Sequence, residues 1–389
     1  MTFEETLANL NEWHFFREFV YSENTFSPTP QKELELADNL LWLGDTLVAY
    51  QLKERAAPTE ATQETERKWF ENKVVGDAAS QMRDTARYLK ENPTIALRNR
   101  RGHERRLAFN DIAIFHKLVV YLPNQRLPPV CLETKAHISK TEGLIHVIAA
   151  HDYLRIVRTL LTPTEFTGYL SFRANAIEKW EKASRAVPEE ALIGQYLRGE
   201  PVAIPSPDYI KDFSALEQDT QKWDISGIIS NFSNRIVREA DSQRYYLILG
   251  ELAGLQRHEL REFKKLFLAS LEAARRDESA LPSGMASPRT GCGFVFIPVT
   301  NEHFEKRHIA LQNLTFYYKY KERLSKCIGV VLCDVQANGS FEADWCYLSS
   351  PWTQDEEWER VTTGSDAFGP AKTVEVPLYN FRISNGGKE

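Results

Sequence analysis

Hydrophobic and polar positions along this chain switch between a helical and a strand period, and the switches mark its elements. Residues 3–20 present Trp13, Phe16, Phe19 and Val20 at helical spacing, which predicts a helix with an aromatic face. SPTP then interrupts it. Two β-prone runs follow, NLLWL (39–43) and TLVAY (46–50), separated by Gly44-Asp45. A two-residue loop of this kind between such runs predicts a β-hairpin. With Gly44 and Asp45 in the turn, Leu43 faces Thr46 and, counting back, Asp38 faces Gln51. Side chains alternate along strands, so Asp38, Gln51 and Lys53 share one face at the open end of the hairpin.

Beyond the hairpin, ERAAPTEATQETER (54–67) reads as a polar loop leading into a helix near 68–90, and RNRRGHERR (98–106) is a basic run. IFHKLVVYL (114–122) predicts a strand and VCLET (130–134) another. Helix, hairpin, helix and strand together predict a compact α/β unit, with helices packed on a mixed sheet. From about residue 136 the pattern reads as helical. GLIHVIAAHDYLRIVRTLL (143–161) looks like one long helix, and TPTE (162–165) opens the next. There Thr162 can cap, Pro163 fits the first turn and Glu165 completes a capping box. Polar, Pro-containing loops are expected over 186–220, helices near 242–254 and 257–277, and a linker over 279–291. A strand (294–299), a helix (307–324), a strand (327–335), a turn at ANGS and the run FEADWCYL then predict a small α/β layer. The expected organisation is an α/β domain over 1–135, a helical region over 136–280 and a C-terminal α/β region over 291–389. No internal repeat or low-complexity tract interrupts it.

Composition narrows the partners. The 389 residues are 42% hydrophobic and 26% charged, an ordinary globular balance, and a net charge of -6 excludes a globally basic coat but not a local basic groove. Cys131, Cys292, Cys327, Cys333 and Cys346 form no CxxC pair, an odd, scattered set that suits a reducing compartment. The acidic, amphipathic start lacks a signal-peptide pattern, and no apolar run approaches the roughly 18 residues a membrane span needs. A cytoplasmic protein without a membrane partner is the expectation.

Several motif readings fail on their residues. HEL at 258–260 has Glu262 where a zinc protease needs its second histidine. His146 and His151 do not share a helix face. Phosphate-loop, dinucleotide and serine-hydrolase motifs are missing from the sequence. A rival Glu-x-Lys at Glu133 and Lys135 follows Pro128 and Pro129 and has no acid opposite it. Trp345, Trp352 and Trp358 are expected to pack the C-terminal layer, and the acidic QDEEWE (354–359) would repel nucleic acid.

An acid, then an acid or amide followed by x-Lys on a hairpin, with helices before and after, resembles the PD-(D/E)xK nuclease superfamily over residues 3 to about 135. The ending Gln51-x-Lys53 is most similar to its Mrr-like restriction endonuclease branch. The resemblance implies a restriction-endonuclease-like α/β core acting as a divalent-metal-dependent nuclease on DNA, with a place in restriction or antiphage defence. It implies Asp38, Gln51 and Lys53 as catalytic residues, with Asp38 and Gln51 holding Mg2+ or Mn2+. A glutamate on the preceding helix, Glu12 ahead of Glu18, would complete the metal ligands. Gln81, on the following helix, would contact the site and its nucleic acid. Arg98, Arg100, Arg101, Arg105 and Arg106 are candidate phosphate contacts beside it. Expected partners are DNA and either a second copy of the chain or a defence-system protein.

The residue types suit the chemistry. Phosphodiester hydrolysis uses a hard cation to polarise the phosphoryl group and activate water, carboxylate and amide oxygens are hard donors, and an ammonium stabilises charge on phosphate. Two features depart from the family pattern: Ala37 stands where many members carry proline, and Gln51 brings no charge. Gln51 supports a second expectation, a catalytically silent nuclease-like module that binds nucleic acid or protein. A third is an interaction scaffold assembled through the helical middle.

Overall fold

The hairpin turn closes where glycine permits it: Gly44 sits at φ +58°, left-handed backbone that costs a side-chain-bearing residue most. The computed structural model describes residues 2–22, 24–29, 32–55, 61–199, 203–217, 222–232, 245–334, 341–364 and 367–368. It has two units, one within Met1–Thr220 and Ile228–Arg235, the other within Gln221–Gly227 and Ile236–Pro377.

The first unit opens with α1 (Phe3–His14), capped at Thr2 with Glu5 completing a capping box. Strands β1 (Val20–Tyr21), β2 (Thr25–Thr29), β3 (Lys32–Glu35), β4 (Asn39–Leu43) and β5 (Thr46–Lys53) follow. Helix α2 (Gln63–Trp69) continues through a π-helical stretch, Phe70–Asp77, into α3 (Ala78–Glu91). Then come β6 (Ile95–Arg98), β7 (Glu104–Leu107), β8 (Ile114–Tyr121), α4 (Pro129–Leu132), β9 (Ala136–Ser139) and β10 (Gly143–Ala149). Helices α5 (Ala150–Leu160), α6 (Pro163–Lys179), α7 (Glu181–Ala186), α8 (Glu189–Arg198) and α9 (Ile210–Glu217) complete the run, and α10 (Ser226–Phe232) lies where the chain passes between units.

Six strands form one mixed sheet in the order β1-β4-β5-β8-β10-β9. The β5–β8 and β8–β10 pairs are parallel, and the remaining pairs antiparallel. Alternation gives the sheet two covered faces. Leu40, Trp42, Leu47, Ala49, Val119, Tyr121 and Val147 meet Phe70, Val74, Ala78 and Met82 of the π-stretch and α3. On the other face Asn39 bonds Asn11 of α1, and Tyr50 meets Tyr153 of α5 with ring centroids 5.9 Å apart. Burying such side chains is worth about 1.5–3 kcal/mol each, before the entropy of ordering them.

The second unit carries α11 (Tyr245–Ala253), α12 (Arg257–Arg275), β11 (Ser283–Ser287), β12 (Cys292–Pro298), α13 (Arg307–Lys321), β13 (Lys326–Cys333), β14 (Glu342–Ser349) and α14 (Glu356–Gly364). Its four strands pair as β11-β12-β13-β14, with only the central pair parallel. The tryptophans pack: Trp345 stacks on Phe267 at 6.3 Å, Trp352 lies 5.7 Å from Tyr320 and Trp358 4.5 Å from Phe316. The expected α/β fold stands.

Several elements differ from the sequence expectation. The first helix stops at His14, because Phe16 adopts φ 63° and turns the chain into β1. VCLET is not a strand; Pro129 opens the short helix α4 there, where its missing N–H costs nothing. Residues 143–149 are strand β10, not helix. A strand buried on both faces is continuously apolar and mimics a helix segment. The sheet therefore runs past residue 135. Helices α8 and α9 occupy much of 186–220, and β11 lies within the expected linker 279–291. The ANGS turn falls outside the described residues.

Candidate functional site

The β4–β5 register follows the count from the turn pair by pair, from Leu43↔Thr46 to Asn39↔Tyr50. There the ladder ends and side chains take over. The Asp38 amide donates to the Tyr50 carbonyl at 3.1 Å, and the Leu52 amide donates to Asp38 Oδ2 at 2.5 Å. The carboxylate thus sits against the β5 backbone between Gln51 and Lys53. Gln51 and Lys53 alternate with Tyr50 and Leu52, so they point to the α3 face with Leu47 and Ala49. Lys53 Nζ donates to Gln81 Oε1 at 2.7 Å from the first turns of α3. Gln51 is 4% exposed, and its Oε1 has no hydrogen-bond partner among the described residues. Asp38, Gln51, Lys53 and Gln81 are brought together.

Electrostatics mark the same spot. Burial raises the Asp38 carboxyl above its usual value, against the Leu52 hydrogen bond and the Lys53 charge. Burial lowers the Lys53 ammonium, opposed by Asp38 and Asp77. Perturbed groups of opposite sign in one place are a site signature. Two further carboxylates feel Asp38. Glu4, in the first turn of α1, and Glu35, ending β3, are raised first by burial and next by the Asp38 charge. Sequence reasoning missed both. Nothing local in the sequence ties Glu4 to Asp38.

The Leu36–Asp38 segment is held on both sides. Asn24 Oδ1 accepts the amides of Leu36 at 3.2 Å and Ala37 at 3.0 Å, and the Thr85 hydroxyl donates to the Leu36 carbonyl at 2.5 Å. This accounts for Ala37: its N–H is used, and proline has none. Ala37→Pro is expected to destabilise the protein by about 1–3 kcal/mol, read as a lower urea midpoint with an unchanged slope.

The structure places other candidates elsewhere. Glu12 is a correction: it is 7% exposed and contacts Arg100 Nε at 3.1 Å and Arg17 Nε at 3.3 Å, so its carboxylate is spent on guanidinium groups rather than beside Asp38. Glu18 pairs with Arg101 Nε at 2.6 Å. The cause is the turn after β6, where Asn99 Oδ1 accepts the amides of Arg101 and His103 and folds the loop toward these acids. Arg100 also bonds Asn9. Arg105 lies 4.3 Å from the centre of the Trp42 ring and donates to the Tyr21 hydroxyl at 3.4 Å. Arg100, Arg101 and Arg105 thus serve internal contacts. Arg98, near Glu104 at 3.8 Å, and Arg106 stay exposed on the outer face of the β6–β7 hairpin. The rival pair also resolves: Lys135 is buried against Glu189 at 3.1 Å, while Glu133 is exposed.

A cation fits the donors only in part. The orphaned amide oxygen of Gln51 and the carboxylate of Asp38 are the oxygen types a hard cation takes. Among the described residues, no group of three or more His, Cys, Asp or Glu is assembled to hold a metal without such help. No helix of the described residues is long and apolar enough to cross a membrane. Compared with protein-family models, curated proteins and solved structures, the chain matches none.

Proposed function

We propose that this protein is a metal-dependent nuclease that hydrolyses phosphodiester bonds, with DNA the expected substrate, as its resemblance to the PD-(D/E)xK superfamily implies. One observation carries the reading: a half-buried carboxylate and an ammonium held by Gln81 lie at the open end of one hairpin, with the orphaned amide oxygen of Gln51 on the same strand as the ammonium. Asp38 and Gln51 are the residues that would hold Mg2+ or Mn2+. When bound, such a cation polarises a phosphoryl oxygen and acidifies an attacking water. Lys53, oriented by Gln81, stabilises the charge that builds on the phosphate. Glu4 and Glu35 replace Glu12 as the acids whose charge reaches Asp38. Arg98 and Arg106 are the exposed arginines available to phosphates. A place in restriction or antiphage defence, and a partner protein or second copy, follow from the resemblance alone.

The test is incubation of the purified protein with supercoiled plasmid. Nicking or linearisation is expected with Mg2+ or Mn2+ and none in chelator. Intact plasmid under both cations overturns the proposal. The neutral Gln51, together with Glu12 spent on arginines, favours one second reading, a silent nuclease-like module that binds nucleic acid or a protein. Its mark is a mobility shift that persists in chelator, with no cleavage under any metal.

A further inference from the structure

Thr85 has no part in the proposed chemistry, yet it is 1% exposed and sits one helical turn beyond Gln81 on α3. Its hydroxyl lies 2.5 Å from the Leu36 carbonyl and 3.0 Å from the Gln81 carbonyl. Asn24, also 1% exposed, takes the opposite side of the segment: its Oδ1 accepts from Leu36 and Ala37, and its amide reaches the Tyr21 carbonyl at 3.4 Å. Every backbone polar group from Leu36 N to Asp38 N, apart from the Ala37 carbonyl, therefore has a stated partner. Fixing those groups fixes the direction of the Asp38 side chain. The same helix holds Lys53 through Gln81. Its pitch, about 5.4 Å per turn, then sets the separation of two tethers, one to the acid and one to the amine.

We propose that Thr85 is a positioning residue for the Asp38 carboxylate, acting through the Leu36 carbonyl and coupling that carboxylate to Lys53 along α3. The inference rests on the metal-dependent reading of the site. A hydroxyl that merely fills space is replaceable by a methyl group of the same shape, whereas one that aims a ligand is not. Losing an outer contact that orients a metal ligand typically costs about 10–100-fold in metal affinity.

The experiment titrates Mn2+ into wild type, Thr85→Val, Thr85→Ser and Asp38→Asn by calorimetry, with a thermal melt of each. Thr85→Val is expected to weaken Mn2+ binding by about 10-fold or more, and Thr85→Ser to restore it to within a few-fold of wild type. In plasmid cleavage, kcat is expected to fall while KM stays. If Thr85→Val does not fold, Thr85→Ala must show the same loss. Wild-type Mn2+ affinity in the folded Val or Ala variant, with binding abolished in Asp38→Asn, overturns this inference and leaves the metal reading standing. Mn2+ binding that is missing from wild type or unchanged in Asp38→Asn overturns both.

Discussion

Lys53→Ala is expected to lower metal-supported plasmid cleavage by about 10²–10³-fold, the usual loss when one preorganised donor is removed from developing oxyanion charge. The geometry explains the size. The Lys53 ammonium is anchored to Gln81 Oε1 at 2.7 Å and feels the Asp38 charge, so it needs little reorganisation as charge appears. Lys53→Arg is not expected to rescue, because a planar fork cannot occupy a place shaped for a compact ammonium. Asp38→Ala removes the only charged ligand of the proposed cation and is expected to abolish cleavage under Mg2+. The pH profile follows from the two shifts. Asp38 is raised by burial in the cation-free site, so cation binding is expected to weaken as pH drops and the carboxyl takes up its proton. Lys53 is lowered by burial, so activity falls again as pH rises through a value below that of an ordinary lysine. The alkaline limb should vanish in Lys53→Ala. Cleavage that survives both alanine substitutions sinks the assignment.

Arg173→Ala is expected to cost about 3–5 kcal/mol in urea unfolding, because it leaves a buried carboxylate with only Lys135 to offset its charge and removes the hydrogen bonds of Arg173. Arg173 of α6 and Glu189 of α8 are both almost fully buried, with Arg173 Nε at 2.7 Å from Glu189 Oε1. Glu189 also receives Lys135 Nζ at 3.1 Å and the Tyr169 hydroxyl, while Arg173 donates to the Lys135 carbonyl at 2.9 Å and to the Val147 carbonyl at 3.2 Å. One ion pair thus ties two helices to strand β10 and the start of β9. Burial alone would raise the Glu189 carboxyl, but Arg173 and Lys135 outweigh it and hold the group far below its usual value. A depressed folded pKa stabilises above the unfolded value and is lost only as pH falls through the folded one. Wild type should therefore keep this contribution well into acid. Joint replacement of Arg173, Glu189 and Lys135 by apolar residues should cost less than Arg173→Ala alone, since no charge of the cluster is then stranded. A loss below about 1 kcal/mol for Arg173→Ala would mean the pair is not desolvated as described.

The hairpin was legible to the residue. A Gly-Asp turn and strand alternation are settled by neighbours in the chain, and the observed pairs match the count from Gly44. The Thr162 cap was legible for the same reason, its hydroxyl accepting the Glu165 amide at 3.2 Å. Strand β10 was not, because burial on both faces erases the period that distinguishes strand from helix. Glu12 was misjudged on similar grounds. It is buried, but which charge waits there depends on the loop after β6. Of the arginine run, Arg98 and Arg106 kept outward positions on their strands, while strand alternation turns Arg105 onto Trp42.

Local residue order determined that an acid, an amide and an amine would lie on one face at the end of a two-stranded turn. Tertiary structure decided what else bears on them: the charges of Glu4 and Glu35 acting on Asp38, Glu12 turned to arginines, Gln81 on Lys53, and Asn24 and Thr85 around Ala37. Contacts across a sheet or between a helix and a distant loop are chosen by packing and desolvation, which no short window of sequence contains.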